Sequence, residues 1–99
     1  MIMVTGTVLA EEETFDEVVA LSLAHVQRSR GEPGCLAHAV HIDCENPLRL
    51  VFVEQWEDQD ALAAHFQKAE SRAFVRALRD LLAEPAAIEI YRAEPLQMG

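Results

Sequence analysis

The chain has 99 residues, a net charge of −9 and 51% apolar side chains. That leaves room for one domain with a thin-margin core, and it is too apolar for an intrinsically disordered chain. The acidity excludes nucleic acid and an anionic membrane surface as partners, because both call for a basic face.

No apolar run approaches the roughly 20 residues a membrane span requires. Met1 to Ala10 lacks the basic start and small-residue cleavage site of a secretory signal, so a cytoplasmic location is expected. The two cysteines, Cys35 and Cys44, stand nine positions apart. On one strand they would be about 30 Å apart, too far to pair. Reduced thiols are expected.

Ile2 to Ala10 reads as a strand, with Ile2, Val4, Gly6 and Val8 on one face and Met3, Thr5, Thr7 and Leu9 on the other. Thr14 and Glu17 form a T-x-x-E capping box that opens a helix. Phe15, Val18, Val19, Ser22 and Val26 recur at helical spacing, and Gly31 with Pro33 ends the run. Cys35 to Asp43 is a second strand. Its pattern sets Leu36, His38, Val40 and Ile42 on one face and Cys35, Ala37, Ala39 and His41 on the other. Glu45-Asn46-Pro47 is turn chemistry, so a hairpin leads into a third strand, Leu48 to Glu57.

Asp58 caps a second helical region whose face carries Leu62, His65, Phe66 and Ala69. A break is expected near Glu70-Ser71, where the apolar stripe restarts as Phe74, Val75, Leu78, Leu81 and Leu82. Pro85 stops it, and Ala87 to Ala93 is the last strand. The order is β-α-β-β-α-β, the α+β ferredoxin-like plan with a four-stranded antiparallel sheet, in one domain spanning 1–99. An open sheet of this kind usually has a polar outer face. Here the first and third strands are apolar on both sides, which predicts a second cover. A two-fold homodimer is the simplest one.

Several pieces act together as a signature: Glu32-Pro33-Gly34-Cys35-Leu36, Asp43, Pro47, Glu54-x-Trp56, Ala61-Leu62-x-x-His65-Phe66, Phe74, Pro85 and Tyr91. In order and spacing they resemble the antibiotic biosynthesis monooxygenase domain of the dimeric α/β barrel superfamily. The resemblance implies a protomer whose sheet packs into a dimeric barrel, with a cleft between helices and sheet. It implies oxygenation of quinols or polycyclic aromatics by some relatives without metal or flavin, and heme degradation or turnover of small signalling compounds by others. The chain departs from the common pattern at His38, where many relatives carry an aromatic, and at Glu70, where many carry a second histidine. The first strand has Thr5 and Thr7 but no asparagine of the kind the heme-degrading members use.

Oxygenation without a cofactor needs an electron-rich anion, a group to take its proton and a dry cleft. His65, three positions after Leu62, faces the sheet and is the candidate base. His38 alternates with Leu36 and Val40 and is expected on a buried face. Glu54 is read either as a cleft acid or base or as the partner of Arg72, Arg76 or Arg92. Trp56, Phe66 and Phe74 are the candidate substrate-binding aromatics. His41 points to the opposite strand face, and His25 is expected on the surface of the first helix. No two histidines stand at i and i+4, and His38 and His41 diverge, so spacing predicts no metal site. No phosphate loop or nucleophile triad is present.

The expected activity is therefore cofactor-independent monooxygenation of a quinol or polycyclic aromatic by dioxygen. His65, His38 and Glu54 would be catalytic, with Trp56, Phe66 and Phe74 at the substrate. Two alternatives stand beside it. One is a non-catalytic or stress-response dimer that binds a small hydrophobic metabolite. The other is an isomerase or degradation enzyme for a small carbonyl signalling compound.

Overall fold

The computed structural model describes residues 1–99. The elements are β1 (Ile2–Leu9), α1 (Phe15–Ser29), β2 (Cys35–Asp43), β3 (Asn46–Trp56), α2 (Gln59–Gln67), α3 (Ala69–Arg79) and β4 (Ala87–Arg92). The four strands form one antiparallel sheet in the order β2-β3-β1-β4, the ferredoxin-like arrangement expected. No helix is long and apolar enough to cross a membrane.

The helices cover one sheet face. Ile2, Val4 and Val8 of β1 and Leu50, Phe52 and Trp56 of β3 are buried there. This is the period of two a half-buried strand requires. One cluster gathers Val8, Val18, Val26, Leu50, Phe52 and Leu78. A second gathers Ile2, Val4, Trp56 and Leu62. The edge strand β4 has no helix over it, and Ile88 and Ile90 are about half exposed.

Three local expectations change. The Thr14–Glu17 capping box does not form: Thr14 is the N-cap, but its side chain makes no capping hydrogen bond. Its hydroxyl instead lies 2.7 Å from the Leu81 carbonyl oxygen, tying the start of α1 to the chain after α3. The break between α2 and α3 falls at Lys68 (ψ 140°), just before Glu70. One extended residue is enough to re-aim the stripe, so Ser71 and Leu78 of α3 are buried independently of Leu62 and His65 of α2.

The third change concerns β2. A register shift between Cys35 and Ala37 sets Cys35 opposite Trp56 and His38 opposite Glu54. An irregularity of this kind, a β-bulge, inserts one residue and breaks strict alternation. Leu36 is left largely exposed, while Cys35 packs against the Trp56 cluster. The pattern in sequence paired Leu36 with His38 and set Cys35 opposite. The bulge exchanges those two neighbours and leaves His38 buried.

Candidate functional site

Three histidines from three elements meet beneath the helices. His25 comes from α1, His38 from β2 and His65 from α2, and each is buried. Their ring centroids are 5.4 Å (His25–His38), 5.1 Å (His25–His65) and 5.6 Å (His38–His65) apart. His25 stacks on Phe74 at 4.0 Å, and His65 lies 4.6 Å from the Trp56 ring. The imidazoles thus bridge the two hydrophobic clusters.

His25 is not on the helix surface as its sequence position suggests: it is 6% exposed. The signal was present. His25 stands seven positions after Val18 and three after Ser22, on the stripe that also buries Val26 and Ser29. Its polar identity hid it from an apolar-periodicity reading.

Two carboxylates border the cluster. Glu32, in the turn before β2, sets Oε1 2.9 Å from His65 Nδ1. Gly34 shapes that turn with φ +81°, a left-handed conformation that glycine adopts without strain. A Cβ at Gly34 would lie 2.5 Å from the Ala61 Cβ, so the turn can press against α2 only as glycine. Glu32 was not among the expected site residues, because 33 positions separate it from His65.

Glu54 is the second carboxylate. It has no arginine partner. Its Oε1 accepts a hydrogen bond from the Trp56 indole N–H at 2.9 Å and lies 3.3 Å from His38 Nε2. That last approach misses hydrogen-bond geometry, and neither ring nitrogen of His38 has a partner. Trp56 is fully buried and presents no face to a ligand. Its place is in the core, holding Glu54 from beside it.

The electrostatics follow from burial. Desolvation, aided by the other imidazoles and by Arg28, holds His25 down at about 3. Desolvation, then His65 and Arg30, holds His38 at about 4. Both are neutral at physiological pH. Burial pushes the Glu54 carboxyl up, and the Trp56 hydrogen bond opposes the rise. The Arg28 guanidinium sits 2.8 Å from His25 Nδ1.

The cluster opens into a cavity of about 950 Å³ between the sheet and α3. His25, His65, Glu54, Phe66, Phe74 and Ser71 line it. Arg72, Arg76 and Arg79 of α3 also line it. Of the residues expected at the site, His65, Glu54, Phe66 and Phe74 reach the cavity wall. His38 lies beside His65 but does not line the cavity. An apolar chamber with one oriented imidazole suits proton removal from a flat apolar molecule.

Comparison with known proteins agrees with this architecture. Residues 1–77 match the family model described as antibiotic biosynthesis monooxygenase. The uncharacterized protein sll1783 of Synechocystis sp. is 35% identical over 96 residues, covering 97% of this chain. This chain spans only 65% of the length of that relative. A solved antibiotic biosynthesis monooxygenase superposes with a TM-score of 0.88 at 27% identity, covering 96% of this chain and all of that one. A Deinococcus radiodurans protein superposes with a TM-score of 0.94 at 26% identity, over 100% of this chain and 99% of its own. PA3566 of Pseudomonas aeruginosa gives 0.83 at 28% identity, over 94% of each chain.

Proposed function

The chain belongs to the antibiotic biosynthesis monooxygenase family, and from that premise we propose that it oxygenates an acidic, electron-rich aromatic, a quinol or polycyclic phenol, with dioxygen and no cofactor. The observation that carries the reading is the Glu32–His65 pair, whose imidazole lines the cavity. Glu32 accepts the Nδ1 proton and leaves His65 Nε2 as the basic nitrogen. It also stabilises the imidazolium that forms when Nε2 takes the substrate proton.

The reaction then belongs to the substrate anion. It donates one electron to dioxygen, and the resulting radical and superoxide combine at carbon. The peroxide takes back the proton from His65 and loses water. In an anthrone-like substrate a CH2 becomes a carbonyl, with one oxygen atom in the product and the other in water. Phe66 and Phe74 line the cavity and flank the ring system. Arg72, Arg76 and Arg79 outnumber the carboxylates Glu54 and Glu84 along the cavity wall and give it a positive side in an otherwise acidic chain. That positive side favours an anionic or acidic aromatic. A volume of about 950 Å³ is large for a small carbonyl metabolite, which supports the aromatic reading over that alternative.

The second cover of the sheet is a further copy of the chain. Val51 and Val53 on the outer face are only half-buried in the protomer. A face-to-face homodimer removes this apolar surface from water.

Oxygen uptake with a panel of hydroquinones and anthrones tests the activity. Uptake well above autoxidation, lost in His65→Ala, is expected. Uptake equal to autoxidation across the panel, or full activity in His65→Ala, rejects the reading.

A further inference from the structure

We propose that His25, His38 and His65 form a binding site for one divalent transition-metal ion, with a coordination position open toward the cavity. The proposal goes beyond the oxygenase reading, since its test needs no substrate.

The first support is geometric. One potential ligand nitrogen from each of the three rings lies within 4.8 Å of the other two. Two imidazoles on a tetrahedral ion, with metal–nitrogen bonds of about 2.0–2.1 Å, place their ring centroids about 5.2 Å apart. The observed separations of 5.1, 5.4 and 5.6 Å match that spacing on all three sides. A tetrahedral ion requires its ligand nitrogens about 3.3 Å apart, so binding would draw the three rings together.

The second support is the state of the ligands. Both nitrogens of His38 are buried without a hydrogen bond: Nδ1 has no partner, and Nε2 has only the Glu54 carboxylate beside it at 3.3 Å. An orphaned buried polar group costs stability, and a metal bond would satisfy one of them. Glu32 already holds His65 Nδ1, the carboxylate–histidine arrangement that fixes the orientation of a ligating ring.

Charge is the third. Glu32 and Glu54 have side chains only 8% and 9% exposed beside the three imidazoles. Two buried carboxylates compensate the charge of a divalent cation. Arg28, at His25 Nδ1, is the one cation in contact with a ring nitrogen of the cluster; its side chain is half-buried and its Nε is buried without a partner. Three protein ligands with a cavity beside them is the pattern of an open metal site, in contrast to a closed four-ligand structural site. Occupancy would engage His65, so metal binding and the proposed proton transfer are mutually exclusive at that ring.

The test uses the chelator-treated full chain titrated with Zn2+ and, separately, with Co2+. Calorimetry should give one Zn2+ per chain, and Co2+ should develop the visible d–d absorption of a four- or five-coordinate nitrogen site. His25→Gln, His38→Gln and His65→Gln should each weaken binding by at least about the 10–100-fold that loss of a supporting partner costs. His41→Gln, at the exposed fourth histidine, should leave it unchanged. Failure to bind either metal overturns the proposal. So does unchanged affinity in folded His25→Gln and His38→Gln, or loss of binding in His41→Gln. If a variant does not fold, X-ray absorption of the wild-type zinc complex decides: three imidazoles at the ion support the site, and one or none rejects it.

Discussion

Glu32 Oε1 and His65 Nδ1 are 2.9 Å apart, although one lies in the turn before β2 and the other near the end of α2. The contact orients the imidazole and assigns its two nitrogens different roles. Replacing Glu32 with Gln keeps the shape but removes the negative charge that stabilises the imidazolium. In the oxygenation reading, Glu32→Gln should lower kcat by about 10-fold or more and His65→Ala by about 100-fold or more. Steady-state oxygen uptake, with KM determined separately, checks the order of the two effects.

Gly34 supports that contact from the backbone. Gly34→Ala forces a side chain into left-handed backbone and sets its Cβ 2.5 Å from that of Ala61. A loss of about 2 kcal/mol or more is expected, seen as a lower urea midpoint at unchanged slope. The same variant should displace Glu32 and so lose activity in proportion to Glu32→Gln.

Acid should unfold the metal-free protein early. His25 and His38 titrate ordinarily at 6.5 but are held at about 3 and about 4 in the fold. Below pH 6.5 the unfolded chain therefore binds more protons than the folded one. Their contribution is complete above 6.5 and is lost as pH falls toward 4 and then 3. Together it is on the order of several kcal/mol. Glu54 has the opposite sign: its raised carboxyl takes a proton first in the folded state, so it offsets part of the loss. Urea midpoints between pH 7 and pH 4 should fall in chelator-treated protein. The fall should be smaller in a folded His38→Gln variant.

The outer sheet face yields a separate outcome. Val53 pairs with Thr5 and Ala39 across the sheet and is half-buried in the protomer. In a face-to-face dimer, Val53→Glu buries two like charges at the interface, which costs several kcal/mol. Sedimentation equilibrium should find a dimer for the wild type and a monomer for the variant, with the secondary structure unchanged.

Much of this was legible along the chain. Alternation marked β1 and β3, helical spacing marked α1, and Leu62–His65 spacing placed the candidate base on the buried side of α2. Those are local periodicities, and a half-buried element has to display them. The same logic indicated a sheet apolar on both faces, and hence the proposed dimer.

The tertiary structure decided the rest, because it depends on groups that sequence spacing does not relate. His25 is a stripe residue whose burial depends on α3 supplying Phe74 to stack on. The bulge at Leu36 arises from how β2 pairs with β3, and no residue identity announces it. Glu54 looked like one half of a salt bridge, yet its neighbours are an indole N–H and a histidine. Chain order alone specified a ferredoxin-like domain with one well-placed histidine. Only the folding of α1, β2 and α2 over one sheet made that histidine one of three, since convergence across 40 residues is a property of packing and not of pattern.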